Sequence, residues 1–223
     1  MKPTVAIDGP AGGGKSTVSR AIAQALGYRY VDTGAMYRVV GVLADAAGVD
    51  FADVAALAAL CDRLELRFEE AADGLRVWAN GRDVTHVIRT AEAGQLASKV
   101  SVVPQVRERL VARQRAMAVG GGVVMEGRDI GTVVLPDATV KIFLVATAAE
   151  RARRRALELR GRGEAVDEAA MQSAIEERDR RDSSREHSPL RPAADALLVD
   201  TTDVPIEAVV ARVRALIAAR GNP

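Results

Sequence analysis

Only one cysteine, Cys61, occurs in the 223 residues, so the chain carries no disulfide framework and no cysteine-built metal cluster. It falls in an apolar helical run and reads as core. Apolar runs long enough to cross a bilayer are missing too, and the opening "MKPTVAIDGP" has one lysine and then a strand, too short for a signal-peptide core. These gaps point to a soluble, cytoplasmic protein with no membrane partner. Net charge is nearly absent: Lys+Arg 31 against Asp+Glu 30 leaves +1, so no global field recruits nucleic acid. Lysine is scarce, at positions 2, 15, 99 and 141, and the positive charge is therefore almost all arginine, the side chain that grips phosphate in a bidentate fork. An arginine-rich genome would give the same bias.

What is present is a chain able to bury one substantial core, with 48% hydrophobic residues and a length that suits one domain or one domain with insertions. Residues 4–8 read as a buried strand, and "GPAGGGKST" follows, before a helical period over 15–26 that Gly27 ends. The stretch Gly9, Pro10, Ala11, Gly12, Gly13, Gly14, Lys15, Ser16 and Thr17 fits G-x-x-x-x-G-K-S. Its glycines let backbone N–H groups converge on a phosphate, Lys15 adds a point charge and Ser16 a magnesium ligand. Strand, loop and helix in that order are the context this motif requires.

A second strand is expected over 28–31, then a helix that Asp32 or Thr33 caps and Gly48 closes. Further strands are expected at 123–125, 140–145 and 196–199, separated by helices over 104–118, 149–160 and 205–219. The fold class is therefore α/β, a doubly wound parallel sheet with helices on both faces. "LELRF" and "DGLRVWANGRDV", with turn signals at Asp73-Gly74 and Asn80-Gly81, add a small antiparallel β insertion. Gly161 and Gly163 interrupt two charged helices and suggest a helical lid.

The loop alone does not choose among switches, motors and small-molecule kinases. Guanine readers use Asn-Lys-x-Asp, and here Asn80 and Asn222 are the only asparagines, neither followed by lysine. Arginines say more. Arg38 lies just over a turn into a helix whose N-terminus favours anions. Arg128 and Asp129 follow a strand's C-terminal end, where open α/β sheets bind ligands. In "ERDRRDSSR", helical spacing places Arg178, Arg181, Asp182 and Arg185 on one face of a helix over 175–185. Each alone reads as solvated surface charge. Together they suit two polyanions that repel until guanidinium and magnesium charge screens them. A phosphate acceptor, with a second pKa of about 6, needs no base, and neither His86 nor His187 has a catalytic setting. Asp32 still leaves a hydroxyl acceptor open.

In order, "IDGPAGGGKST", "VDTGAMYR", "EGRDIGTVVLPDATVKIFLVA", "ERARRR", "ERDRRDSSR" and "PLRPAADALLVDTT" closely resemble the bacterial cytidylate kinase family, the CMP/dCMP kinases among nucleoside monophosphate kinases, over essentially the whole chain. The resemblance implies one kinase unit: a core of about 1–31, 105–150 and 164–223, an acceptor region with the insertion over about 32–104, and a lid over about 151–163. It implies ATP as donor on residues 9–17, with Lys15 on the β and γ groups and Mg2+ on Ser16, a second carboxylate staying open between Asp32 and Asp129. Thr33, Tyr37 and Arg38 would meet the acceptor, Arg38, Arg128 and Arg185 its phosphate, and Arg178 with Asp182 its ribose. Ser98, Arg107 and Asp129 would read cytosine, the carboxylate accepting from its amino group while the other two donate to N3 and O2. Lys15, Arg128, Arg178 and Arg185 form the expected catalytic set. Arg151, Arg154 and Arg155 lie where relatives bring arginines onto the transferring group, without a choice among them. A kinase for UMP or AMP and a slowly hydrolysing binding module are the rival readings. A monomer suffices for the reaction.

Overall fold

The computed structural model describes residues 2–71, 74–161, 163, 165–185 and 188–221. In chain order its elements are β1 (Thr4–Asp8), α1 (Lys15–Leu26), β2 (Arg29–Asp32), α2 (Thr33–Ala46), α3 (Val54–Arg63), β3 (Leu66–Ala71), β4 (Gly74–Ala79) and β5 (Arg82–Asp83). There follow α4 (Ala91–Val100), α5 (Pro104–Ala118), β6 (Val123–Gly127), β7 (Val140–Val145), α6 (Ala148–Arg160), α7 (Glu168–Ser183), β8 (Leu197–Asp200) and α8 (Ile206–Gly221). A 3-10 turn, Val87–Arg89, precedes α4, and a π turn, Ile130–Val134, follows β6. The chain divides into two compact units, Met1–Val31 with Ala118–Pro223, and Asp32–Met117.

The first unit is built on a sheet of order β2-β6-β1-β7-β8. Pairings of β1 with β6 and β7, and of β7 with β8, are parallel. A strand flanked on both edges and covered on both faces has no solvent side, so it reads as a continuous apolar run. Val5, Ala6 and Ile7 are accordingly fully buried, as are Val123, Val124 and Met125 on β6. Burying each larger one contributes roughly 1.5–3 kcal/mol. This is the α/β architecture that the valine-rich strands imply. Gly27 ends α1 at φ 61, a left-handed value that suits glycine.

The helix before Arg185 differs from the sequence reading. It starts at Glu168, seven residues ahead of 175, because the Asp167 carboxylate accepts from the amides of Ala169 and Ala170 at 3.0 Å each. It also stops at Ser183, which leaves Arg185 beyond its end.

In the second unit Asp32, and not Thr33, caps α2, accepting from the Ala35 amide at 3.0 Å. The small sheet runs β3-β4-β5, antiparallel, with Asn80 and Gly81 at φ 49 and 75 making its second turn. Leu75, Val77 and Ala79 face inward. On the opposite face Trp78 lies across from Arg67 in register, and that guanidinium sits 4.8 Å from the ring centre. Asp73 of the first turn, Arg162 in the expected lid and His187 lie outside the described residues.

Helices α2 and α4 approach closely at Gly41, where a Cβ would stand 2.8 Å from the Leu96 carbonyl carbon and 2.8 Å from its Cβ. Replacing a mid-helix glycine by alanine ordinarily stabilises by about 1 kcal/mol. Here overpacking, roughly 1–3 kcal/mol, outweighs that gain. Gly41→Ala should therefore lower the melting temperature by a few degrees in a thermal scan; a rise would contradict the close approach.

Candidate active site

The glycine loop takes its shape from backbone values other residues avoid. Gly9, Gly12 and Gly14 sit at φ 149, 74 and 81, and a Cβ on Gly9 would lie 2.3 Å from the Leu144 carbonyl oxygen. Gly14 is the N-cap of α1; among the described residues no side chain caps that helix, and its first turn holds no acid. The leading amides and the positive end of the helix dipole are thus left to an anion. Lys15 is buried, with Nζ donating to the Pro10 carbonyl at 2.6 Å, while Ser16 and Thr17 are exposed. Burial, and then the charge of Arg128, push the Lys15 ammonium down to about 7, against the pull of Glu126; Arg178 pushes the same way as Arg128.

Sequence reasoning missed Glu126. It is 3% exposed on β6 and accepts a short hydrogen bond from the Tyr30 hydroxyl of β2. Strand adjacency across 96 residues leaves no local signal for such a pair.

Asp182, 1% exposed, gathers three arginines of this unit. Arg128 Nε donates to it at 3.3 Å, Arg185 Nη2 donates to its other oxygen, and Arg178 Nε lies 4.0 Å away. Three guanidinium groups around one carboxylate leave a local excess of positive charge. Arg181, expected on the same face, is not among them. One residue before the inward Asp182 it is turned about 100° around the helix, its side chain is 59% exposed, and Glu177 is its partner at 4.0 Å. Asp129 is buried, and its carbonyl accepts from the Val133 and Val134 amides at 2.8 and 3.2 Å.

The α6 arginines are engaged within the fold. Arg151 is buried and donates to the Ala11 carbonyl of the glycine loop at 3.1 Å, to the Ala146 carbonyl at 3.0 Å and to Asp179 of α7. Arg155 pairs with Glu158 at 2.6 Å. Arg154 donates to Glu150 at 2.7 Å and to both oxygens of Thr201. Hydrogen bonds from Arg153 and then Arg154 hold the Glu150 carboxyl below its ordinary range. Beside Arg154 a cavity of about 220 Å³ is lined by Gly13, Gly14, Thr17, Val18, Thr201, Val204, Ile206 and Val209. An arginine at one wall and aliphatic carbons at the others suit a flat heteroaromatic ring. The loop after β8 that closes it was unassigned by sequence; its position past a strand's C-terminal end was the available signal.

In the second unit Thr33 and Tyr37 are buried, and half-buried Arg38 donates to the Ile88 carbonyl at 3.1 Å. The Arg107 guanidinium sits 5.8 Å from the Tyr37 ring centre and 3.5 Å from the Ser101 carbonyl. Ser101 in turn donates to the Ser98 carbonyl at 3.0 Å. Ser98 is half-buried and not a free surface serine. The structure thus brings Tyr37, Ser98 and Arg107 into one neighbourhood. Among the described residues no three His, Cys, Asp or Glu side chains cluster as a metal cage, and no helix is long and apolar enough to cross a membrane.

A model of the cytidylate kinase family matches residues 5–219. A cytidylate kinase of Pelotomaculum thermopropionicum is 54% identical over 97% of this chain and 96% of its own. One from Pseudomonas paraeruginosa is 49% identical over 93% and 92%. Among solved structures, a gluconokinase from Sinorhizobium meliloti superposes with a TM-score of 0.53 at 15% identity, covering 98% of this chain and 93% of that one, a likeness of fold alone.

The buried ammonium gives a stability test. Its folded pKa lies below the unfolded 10.5, so unfolding takes up a proton between about 7 and 10.5 and the ligand-free chain loses stability as pH falls through that window. Lys15→Met should raise the melting temperature by roughly 10 °C at pH 7, with the gap narrowing towards pH 10. An unchanged or lower value at pH 7 would mean that burial of the charge costs little.

Proposed function

The chain belongs to the cytidylate kinase family, and from that premise we propose how its residues carry a phosphoryl group from ATP to CMP or dCMP. The products are ADP and CDP or dCDP. The feature that carries the reading is Lys15, buried in the glycine loop with the charges of Arg128 and Arg178 acting on it.

Residues 9–17 hold the donor triphosphate through backbone amides, with Lys15 on its β- and γ-phosphates. The cavity beside Arg154 takes the donor's base. Exposed Ser16 fits Mg2+, an ion that keeps several waters and needs few protein oxygens beside substrate phosphates. When bound there, the ion neutralises charge on the transferring group.

Arg38, Arg128 and Arg185 hold the acceptor phosphate, and Thr33 and Tyr37 adjoin it. Arg178 and Asp182 take the ribose; Ser98, Arg107 and Asp129 read the base. An acceptor phosphate oxygen attacks the γ-phosphorus in line, the bond to the β,γ-bridging oxygen breaks, and ADP leaves with that electron pair. At neutral pH the attacking monoester is already mostly dianionic, so no side chain need take a proton. Catalysis then rests on position and guanidinium charge, with the expected lid, whose described part begins at Arg151 on α6, closing against water. One copy of the chain suffices, acting in the cytoplasm on free nucleotides.

With ATP and a nucleotide panel, ADP release should respond to CMP and dCMP at least about tenfold better in kcat/KM than to UMP, AMP or GMP. Uracil places a carbonyl where cytosine has its amino group, facing the Asp129 carboxylate. Asp129→Asn should therefore shrink the CMP preference over UMP by roughly tenfold. A panel led by another nucleotide would refute the acceptor; unchanged discrimination in the variant would remove Asp129 from base reading.

A further inference from the structure

Arg128 and Asp129 lie in neither strand nor helix, although the reading above asks both for accurate placement. They are two residues between Gly127, the end of β6, and the π turn that starts at Ile130. Gly127 is fixed by its sheet register against Asp8, the last residue of β1. Asp8 also fixes the far side: it is 5% exposed, its Oδ1 accepts from the Ile130 amide at 2.8 Å and its Oδ2 from the Gly131 amide at 2.7 Å. A third constraint comes from β7. A Cβ on Gly131 would meet the Lys141 stem at 3.2 Å and Asp8 Oδ2 at 3.4 Å, and Lys141 is itself held by Asp195 at 2.9 Å.

We propose that Asp8 is a positioning residue for the acceptor: its carboxylate pins the two amides just past Asp129 and thereby sets acceptor affinity and base discrimination. The inference rests on the proposed reading of CMP as acceptor. Each carboxylate oxygen is already engaged by a backbone amide, a pattern of scaffolding and not of proton transfer. Burial makes the charge costly here, and the neighbouring Asp129 carboxylate adds repulsion, yet an amide side chain would offer one acceptor and turn its own N–H groups towards the second backbone donor.

Asp8→Asn is tested with both substrates varied. The KM for CMP should rise about tenfold and the CMP preference over UMP fall by a similar factor, while the KM for ATP stays within about twofold. Gly131→Ala keeps Asp8 and crowds the same loop from the other side; the same split is expected, which covers the case in which Asp8→Asn does not fold. Equal rises in both KM values, or a lower melting temperature with both KM values unchanged, would reduce Asp8 to a purely structural residue and overturn the proposal. If the wild-type chain prefers another nucleotide, the acceptor reading fails by itself, and the Asp8 inference is then decided by the same split measured with that nucleotide.

Discussion

A buried ammonium that the chain neutralises only in part governs this architecture. Lys15 opens α1, past the glycine loop that follows the central strand, with two guanidinium groups acting on it, and lowering its pKa from 10.5 to about 7 corresponds to a cost on the order of 5 kcal/mol at neutral pH. A domain of this kind is stable by only about 5–15 kcal/mol. The expense is supportable because β1, β6 and β7 are buried on both faces, and under the proposed function a polyanionic donor at the glycine loop would recover it on binding. Glu126, Asp8 and Asp182 oppose the repulsion among these cations, and all three are nearly inaccessible to solvent. A fully neutralised pocket would fold more easily and hold phosphate less well.

The same economy of means appears in how the sheet delivers its loops. Parallel strands end on one edge, so the glycine loop after β1, Arg128 with Asp129 after β6, and the Thr201 turn after β8 all leave from C-terminal strand ends. Central placement of β1 lets one residue, Asp8, terminate the strand that leads into the glycine loop while holding the amides of the loop after β6. The glycine loop and the loop after β6 therefore share a single anchoring point in the first unit. Arg151 adds a second strut, tying the Ala11 carbonyl to Asp179 on α7, next to Arg178.

What the sequence made legible was whatever has a local signature. Glycines at Gly9, Gly12 and Gly14 announce left-handed backbone, valine runs announce buried strands, and Asn80-Gly81 announces a tight hairpin. The gathering of Arg128, Arg178, Asp182 and Arg185 could be inferred from helical spacing and loop position, although Arg181 was included wrongly because a shared face was drawn too wide. Strand order, the Tyr30–Glu126 bond and the two amides on Asp8 were illegible, since pairings across 96 to 123 residues leave no periodic trace. The early start of α7 was missed for a different reason. Asp167 is a good cap and alanine-rich helix formers follow it, but the helix as a whole has little amphipathic contrast, so no apolar stripe marks where it begins.

Trp78 is the sole tryptophan of the chain, and it sits on the small sheet of the second unit with an arginine over its ring. Excitation at the red edge of the aromatic absorption band, beyond tyrosine absorption, consequently addresses that sheet and nothing else. The protein comes with its own optical label, already placed on the small antiparallel sheet.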